Sequence, residues 1–201
     1  MVKKAINILI FLFIFSLYFV SFLMIYDTFR QRKLEKLEAN AIDAFDKQVK
    51  VEKVTPSNMG DNTSNGDVSY GNYTILGKIE IPKIGFNSVI IKEYTYYAMN
   101  VGVIKSYGSE LNEPGGFILS GHNFRGRSLF MYNIYRLVDG DKIYITDNDG
   151  KKLTYTIYNK FETTPEDTSF YQRDTGGKPE LTLSTCTDDS KARLIICAKT
   201  E

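Results

Sequence analysis

Residues Ala5 to Tyr26 carry no charge and are rich in Ile, Leu and Phe. A helix needs about 20 apolar residues to cross a bilayer. This run of 22 is long enough. Lys3 and Lys4 precede it. A cleavable signal peptide would show a shorter apolar core and a small-residue exit, and neither is present, so the segment reads as an uncleaved signal anchor. A cleaved signal peptide is the competing reading. The flanking charges are divided: Lys3 and Lys4 lie on one side, Arg30, Arg32 and Lys33 on the other. Orientation therefore does not follow from charge alone.

The remaining chain divides by composition. Residues 1–4 form a short tail and residues 5–26 the anchor. Residues 27–54 are rich in charge and helix formers, and Leu34, Leu37, Ala41, Ala44 and Phe45 recur at helical spacing. This predicts an amphipathic juxtamembrane helix, read first as a solvated spacer. Residues 55–72, dominated by Ser, Asn, Gly and Asp, have little apolar surface to offset ordering and read as a flexible linker. Residues 73–201 read as a single domain of short strands. The candidates are Ile75–Ile81, Asn87–Ile91, Gly116–Ser120, Lys142–Thr146, Lys152–Tyr158, Leu181–Cys186 and Arg193–Ala198. Asn148-Asp149-Gly150 marks a hairpin turn between two of them. Ser128 to Leu137 is expected to hold a helical turn. The fold class is all-β, a barrel or sandwich.

Net charge is +1, which gives no basic field for nucleic acid. One histidine and two separated cysteines make no zinc cluster. Asp147 to Gly150 fits a turn better than a calcium loop. The two cysteines are Cys186 and Cys197. They form either one disulfide or one working thiol and one buried, inert one. Leu181-Thr182-Leu183-Ser184-Thr185-Cys186 alternates apolar and polar and stops at the cysteine. The polar turn Thr187 to Lys191 follows, then Arg193-Leu194-Ile195-Ile196. His122 ends another apolar run, after Gly121, where glycine permits unusual backbone angles. A thiol, an imidazole and a guanidinium at strand ends are the parts of thiol acyl transfer. Each also has a plainer use: a core cysteine, a satisfied histidine, a surface arginine.

Thr182-Leu183-Ser184-Thr185-Cys186 resembles the Thr-Leu-x-Thr-Cys signature of the sortases, the cysteine transpeptidases of Gram-positive bacteria. Gly121-His122, Arg193 on the strand after the cysteine, and Ile79-Glu80-Ile81-Pro82-Lys83-Ile84-Gly85 are similar to further family segments, in the family's order. The resemblance implies a closed β-barrel of about eight strands with short helices, preceded by one transmembrane helix. It implies catalysis by His122, Cys186 and Arg193, with Thr185 bordering the substrate groove, along with the loop Glu162–Gln172. Some sortases bind calcium at a carboxylate cluster; none is placed in this sequence, and no cofactor is expected. The substrates would be surface proteins bearing a Leu-Pro-x-Thr-Gly-like sorting signal. The acceptor would be a lipid-linked peptidoglycan precursor amine. The enzyme would be single-pass in the cell membrane, N-terminus inside, catalytic domain outside. The loop from Thr163 to Pro179 is too short for the long helix of class B, which points toward a housekeeping or class D-like anchoring enzyme, while Thr-Leu-Ser-Thr-Cys and Ala192-Arg193 have a class B flavour. No apolar tail like that of pilin-polymerising members follows Arg193. A pilin-polymerising sortase and a disulfide-stapled, non-catalytic extracellular β domain are the alternatives.

Overall fold

The structure, a computed structural model, describes residues 2–54, 68–123 and 131–200. Helix α1 runs Val2–Val54. Nine strands follow: β1 Val68–Tyr70, β2 Tyr73–Ile81, β3 Phe86–Ile91, β4 Val103–Gly108, β5 Gly115–Ser120, β6 Lys142–Asp147, β7 Lys152–Thr163, β8 Pro179–Cys186 and β9 Arg193–Lys199. They are ordered β1-β2-β3-β4-β5-β8-β9-β7-β6, and β6 pairs back onto β2. Strands β2 to β9 thus close an eight-stranded barrel, with β1 added beside the first residues of β2. Closure brings the β6 backbone hard against Gly77: a Cβ there would lie 2.5 Å from the Thr146 carbonyl oxygen. Only a residue without a side chain fits that approach.

Alternation along the strands builds the barrel interior. Phe117 and Leu119 of β5, Leu181 and Leu183 of β8, and Ile196 and Ala198 of β9 join Ile79, Ile81, Ile143 and Ile145 inside. The intervening residues point outward, yet many of these are buried too. Ile118, Ile195 and Cys197 lie under Phe170, with Tyr158, Phe161 and Tyr171 packed around them. On β3 and β4, Val89, Ile91 and Ile104 lie under Ala41, Phe45 and Val49 of α1. A register shift between Ile75 and Gly77 places Ile75 in this second cluster.

The apolar part of α1 is exposed all round, as residues such as Phe11 (68% exposed) show. Among the described residues, one helix is long and apolar enough to cross a membrane. The stretch read from sequence as a spacer differs from that reading. Ala41 and Phe45 are at most 1% exposed, and Asp46 pairs with Lys78 at 2.6 Å. Helical spacing gave the correct face; what covers that face depends on strands that lie beyond the helix in the chain. Residues 68–70, placed in the linker by composition, form β1, and residues 55–67 lie outside the described residues. Strand β4 was not expected, and β7 extends five residues past Tyr158. The expected helical turn appears as a 3-10 helix over Met131–Arg136; residues 128–130 lie outside the described residues. Asp147 to Gly150 is a turn, with the Gly150 amide donating to the Asp147 carbonyl at 3.0 Å.

Candidate active site

Register alone brings three of the proposed residues together. Strands β5 and β8 are parallel neighbours, and Ser120 pairs with Ser184. The amide of Gly121 continues the ladder to the Ser184 carbonyl at 3.3 Å. His122 and Cys186 stand two residues beyond that pair, at the same end of adjacent strands. Strand β9 runs antiparallel to β8, and its first residue, Arg193, is paired directly with Cys186. Ser120, Ser184 and Ile195 form one row of the outer face. The next row along pairs Cys186 with Arg193, and His122 follows Gly121 just past the same end of β5. Neighbouring strands lie about 4.8 Å apart, which places Cys186 between the strands that lead to the other two.

The segments bearing this row are held by polar contacts that periodicity does not show. Thr185 is 3% exposed, and its hydroxyl donates to the Gly121 carbonyl at 2.7 Å, fastening the cysteine strand to the histidine segment. Its hydroxyl is thus engaged within the fold. Asn123 donates through Nδ2 to the Cys186 carbonyl at 2.8 Å and to Asp188 Oδ1 at 3.1 Å. The Met131 amide donates to the His122 carbonyl at 3.0 Å. Gly121 does not have the left-handed backbone that sequence allowed it. It serves by being small: a Cβ would sit 3.2 Å from Met131 Cγ and 3.3 Å from Val103 Cγ1. The β8–β9 turn closes with the Thr187 amide on the Ala192 carbonyl at 3.0 Å.

His122 is half-buried, and its ring packs edge-on against Tyr96 with centroids 4.9 Å apart. Burial pushes its pKa down, while a hydrogen bond to the Tyr96 backbone pulls the other way. The net direction favours a neutral imidazole. The Arg193 guanidinium donates to the Ala192 carbonyl at 3.3 Å. A groove of about 580 Å³ runs past Cys186. Its wall includes Asn123 and Ala192, the chain neighbours of the other two candidates. Met131, Tyr132, Tyr135 and Leu194 make the apolar part, and Glu162, Asp188 and Asp189 bring carboxylates. From the loop expected to border the groove, Glu162 does so, whereas Phe170 is buried on the outer face of β5 and β9.

Cys197 is a different kind of cysteine. It is 1% exposed and accepts from Arg173 Nη1 at 2.6 Å. Burial pushes its thiol pKa up, against the pull of Arg173. Both cysteines are free. Cys197 pairs with Thr182 and Cys186 with Arg193, four positions apart along β9. At 3.3 Å per residue that is about 13 Å, beyond the roughly 7 Å limit for a disulfide. The disulfide-stapled alternative is therefore incompatible with the register. Among the described residues no group of three or more His, Cys, Asp or Glu is placed to hold a metal ion.

Comparison with known proteins follows the same lines. The family model for the sortase domain matches residues 79–201. Sortase A of Bacillus anthracis is 24% identical over 176 residues, covering 85% of this chain and 82% of that protein. Sortase A from Corynebacterium diphtheriae superposes with a TM-score of 0.60 at 20% identity, over 88% of this chain and 95% of that one. Sortase C from Clostridium perfringens gives 0.55 at 22% identity, over 87% and 97%. Structures of differently lettered sortases share this fold, so the fold does not select among them.

Proposed function

The chain belongs to the sortase family and is a sortase transpeptidase, and on that footing we propose that it joins sorting-signal proteins to a cell-wall amine through a thioacyl-enzyme on Cys186. The observation that carries this reading is the register: Arg193 is paired with Cys186, which lines the groove, and β5 ends two residues before His122 at the same end of the neighbouring strand. A cysteine thiol is largely protonated at neutral pH, and the thiolate is the nucleophile. His122, kept neutral by burial, takes the thiol proton. The sulfur attacks the carbonyl carbon of the scissile peptide bond, and the oxygen becomes an oxyanion. Arg193 meets that charge with a permanent cation and a planar fork of donors. The C–N bond breaks, and His122 returns the proton to the leaving amine. The acceptor amine then attacks the thioester, its proton passes to His122, and the C–S bond breaks to give the new amide.

In this reading α1 crosses the cell membrane once, N-terminus inside, and the barrel works on the outer side. The substrate is a surface protein with a Leu-Pro-x-Thr-Gly-like signal. The acceptor is the amine of a lipid-linked peptidoglycan precursor. The test is a peptide-library cleavage assay on the full chain in detergent, with an added amine and Cys186→Ala as control. Cleavage with a product carrying that amine, lost in the control, is expected. Cleavage that survives in Cys186→Ala, or no cleavage of any such signal, overturns the reading. Offering a pilin lysine against a precursor amine decides between polymerising and anchoring roles.

A further inference from the structure

A base acts on the sulfur through one ring nitrogen, and an imidazole free to turn can present either. The loop between β3 and β4 holds the ring. Tyr96 packs on His122, the two rings meeting at 61° with centroids 4.9 Å apart. We propose that Tyr96 is the positioning residue of His122, its ring fixing the plane of the imidazole and so which nitrogen faces the sulfur. The proposal rests on the catalytic role assigned to His122 above.

Several features make this contact a built one. The loop is pinned where it leaves β3, where the Thr74 amide donates to both Glu93 carboxylate oxygens at 3.0 and 2.9 Å. Thr95 Oγ1 accepts from the Ala98 amide at 3.1 Å and shapes the turn around Tyr96. Asn100 Nδ2 donates to the Tyr96 carbonyl at 3.3 Å and holds the backbone of that residue in place. Ala98 and Val101 anchor the far end among Ile91, Ile104 and Phe45. Tyr96 itself is 54% exposed, so its ring adds little to the core. Its ring partners are the imidazole and Tyr97, which stands edge-on with centroids 5.9 Å apart.

A neutral imidazole carries its proton on one nitrogen and the basic lone pair on the other. A ring held in one plane presents one of the two to the sulfur, and a ring released from that plane samples both.

His122 is the sole histidine, so every imidazole nitrogen signal in a ¹⁵N NMR spectrum of the full chain in micelles belongs to it. The experiment compares the wild type with Tyr96→Ala, Tyr96→Leu and Tyr96→Phe by that spectrum and by steady-state kinetics with a cleaved sorting peptide. Tyr96→Ala is expected to lose about tenfold in kcat with KM within about twofold, as for a misplaced catalytic group. Its imidazole signals should shift toward a tautomer mixture, while Tyr96→Phe matches the wild type in both readouts. If Tyr96→Ala fails to fold, Tyr96→Leu takes its place under the same criteria. The proposal is overturned if the alanine variant keeps wild-type kcat and a single tautomer. It is also overturned if only KM rises, or if Tyr96→Phe falls as far as Tyr96→Ala. Should the wild type cleave no sorting peptide, the catalytic reading fails, and the tautomer comparison still decides whether Tyr96 holds the ring.

Discussion

In the proposed mechanism His122 is the base, and burial holds its pKa down. Its neutral form is the one that accepts the thiol proton, so activity falls as pH drops through its folded pKa. The acid limb of kcat/KM is therefore expected below the ordinary imidazole value of about 6.5. A pH–rate profile checks this; an acid limb at or above that value would contradict a neutral His122 as base. The proposed role of Arg193 uses its fork as well as its charge. Arg193→Lys keeps the charge and is expected to lose about 10²-fold in kcat, measured with the same peptide. A lysine variant with near-normal kcat would show that charge alone suffices. In the sequence, motif and strand alternation both mark His122, Cys186 and Arg193. Tyr96 and Asn123 are not so marked. Tyr96 meets His122 through a ring contact and Asn123 meets Cys186 through a side-chain amide, and neither leaves a trace in hydrophobic period or composition. Thr185 was singled out for the groove, and the structure gives its hydroxyl to Gly121.

Among the elements, the second half of α1 departs most from its sequence reading. The 3.6-residue spacing of Ala41, Ala44 and Phe45 was visible, but its partners, Val89, Ile91 and Ile104, sit on strands whose outward residues are apolar. A helix over that face removes them from water. Phe45→Ala leaves a cavity there and is expected to destabilise the protein by about 3–5 kcal/mol. Thermal unfolding in detergent, followed by circular dichroism, checks it. A melting temperature unchanged from wild type would return the helix to the status of a solvated spacer. Strands β1 and β4 escaped notice for different reasons. β1 has only three residues, inside a polar stretch. β4 carries Lys105, Ser106 and Tyr107 after two apolar residues, so its alternation is short.

For the whole molecule, the barrel matters because it makes sequence-distant ends neighbours. The parallel pairing of β5 with β8 sets His122 beside Cys186 across 64 positions of chain. No local pattern encodes that pairing; it follows from closure of β2 on β6 and from which outward faces α1 and the 164–178 loop cover. The same register keeps Cys197 away from the site, so Cys197→Ala is expected to cleave sorting peptides at the wild-type rate within about twofold, since a one-atom truncation removes little buried area. A loss of activity matching that of Cys186→Ala would mean that the second thiol takes part. Intact-mass analysis of the full chain, quenched in acid during turnover of a sorting peptide, tests the central claim most directly. The account predicts a thioester adduct of the peptide's N-terminal fragment, mapped to Cys186 and discharged by added amine. Turnover with no adduct, or with the adduct on Cys197, would contradict it.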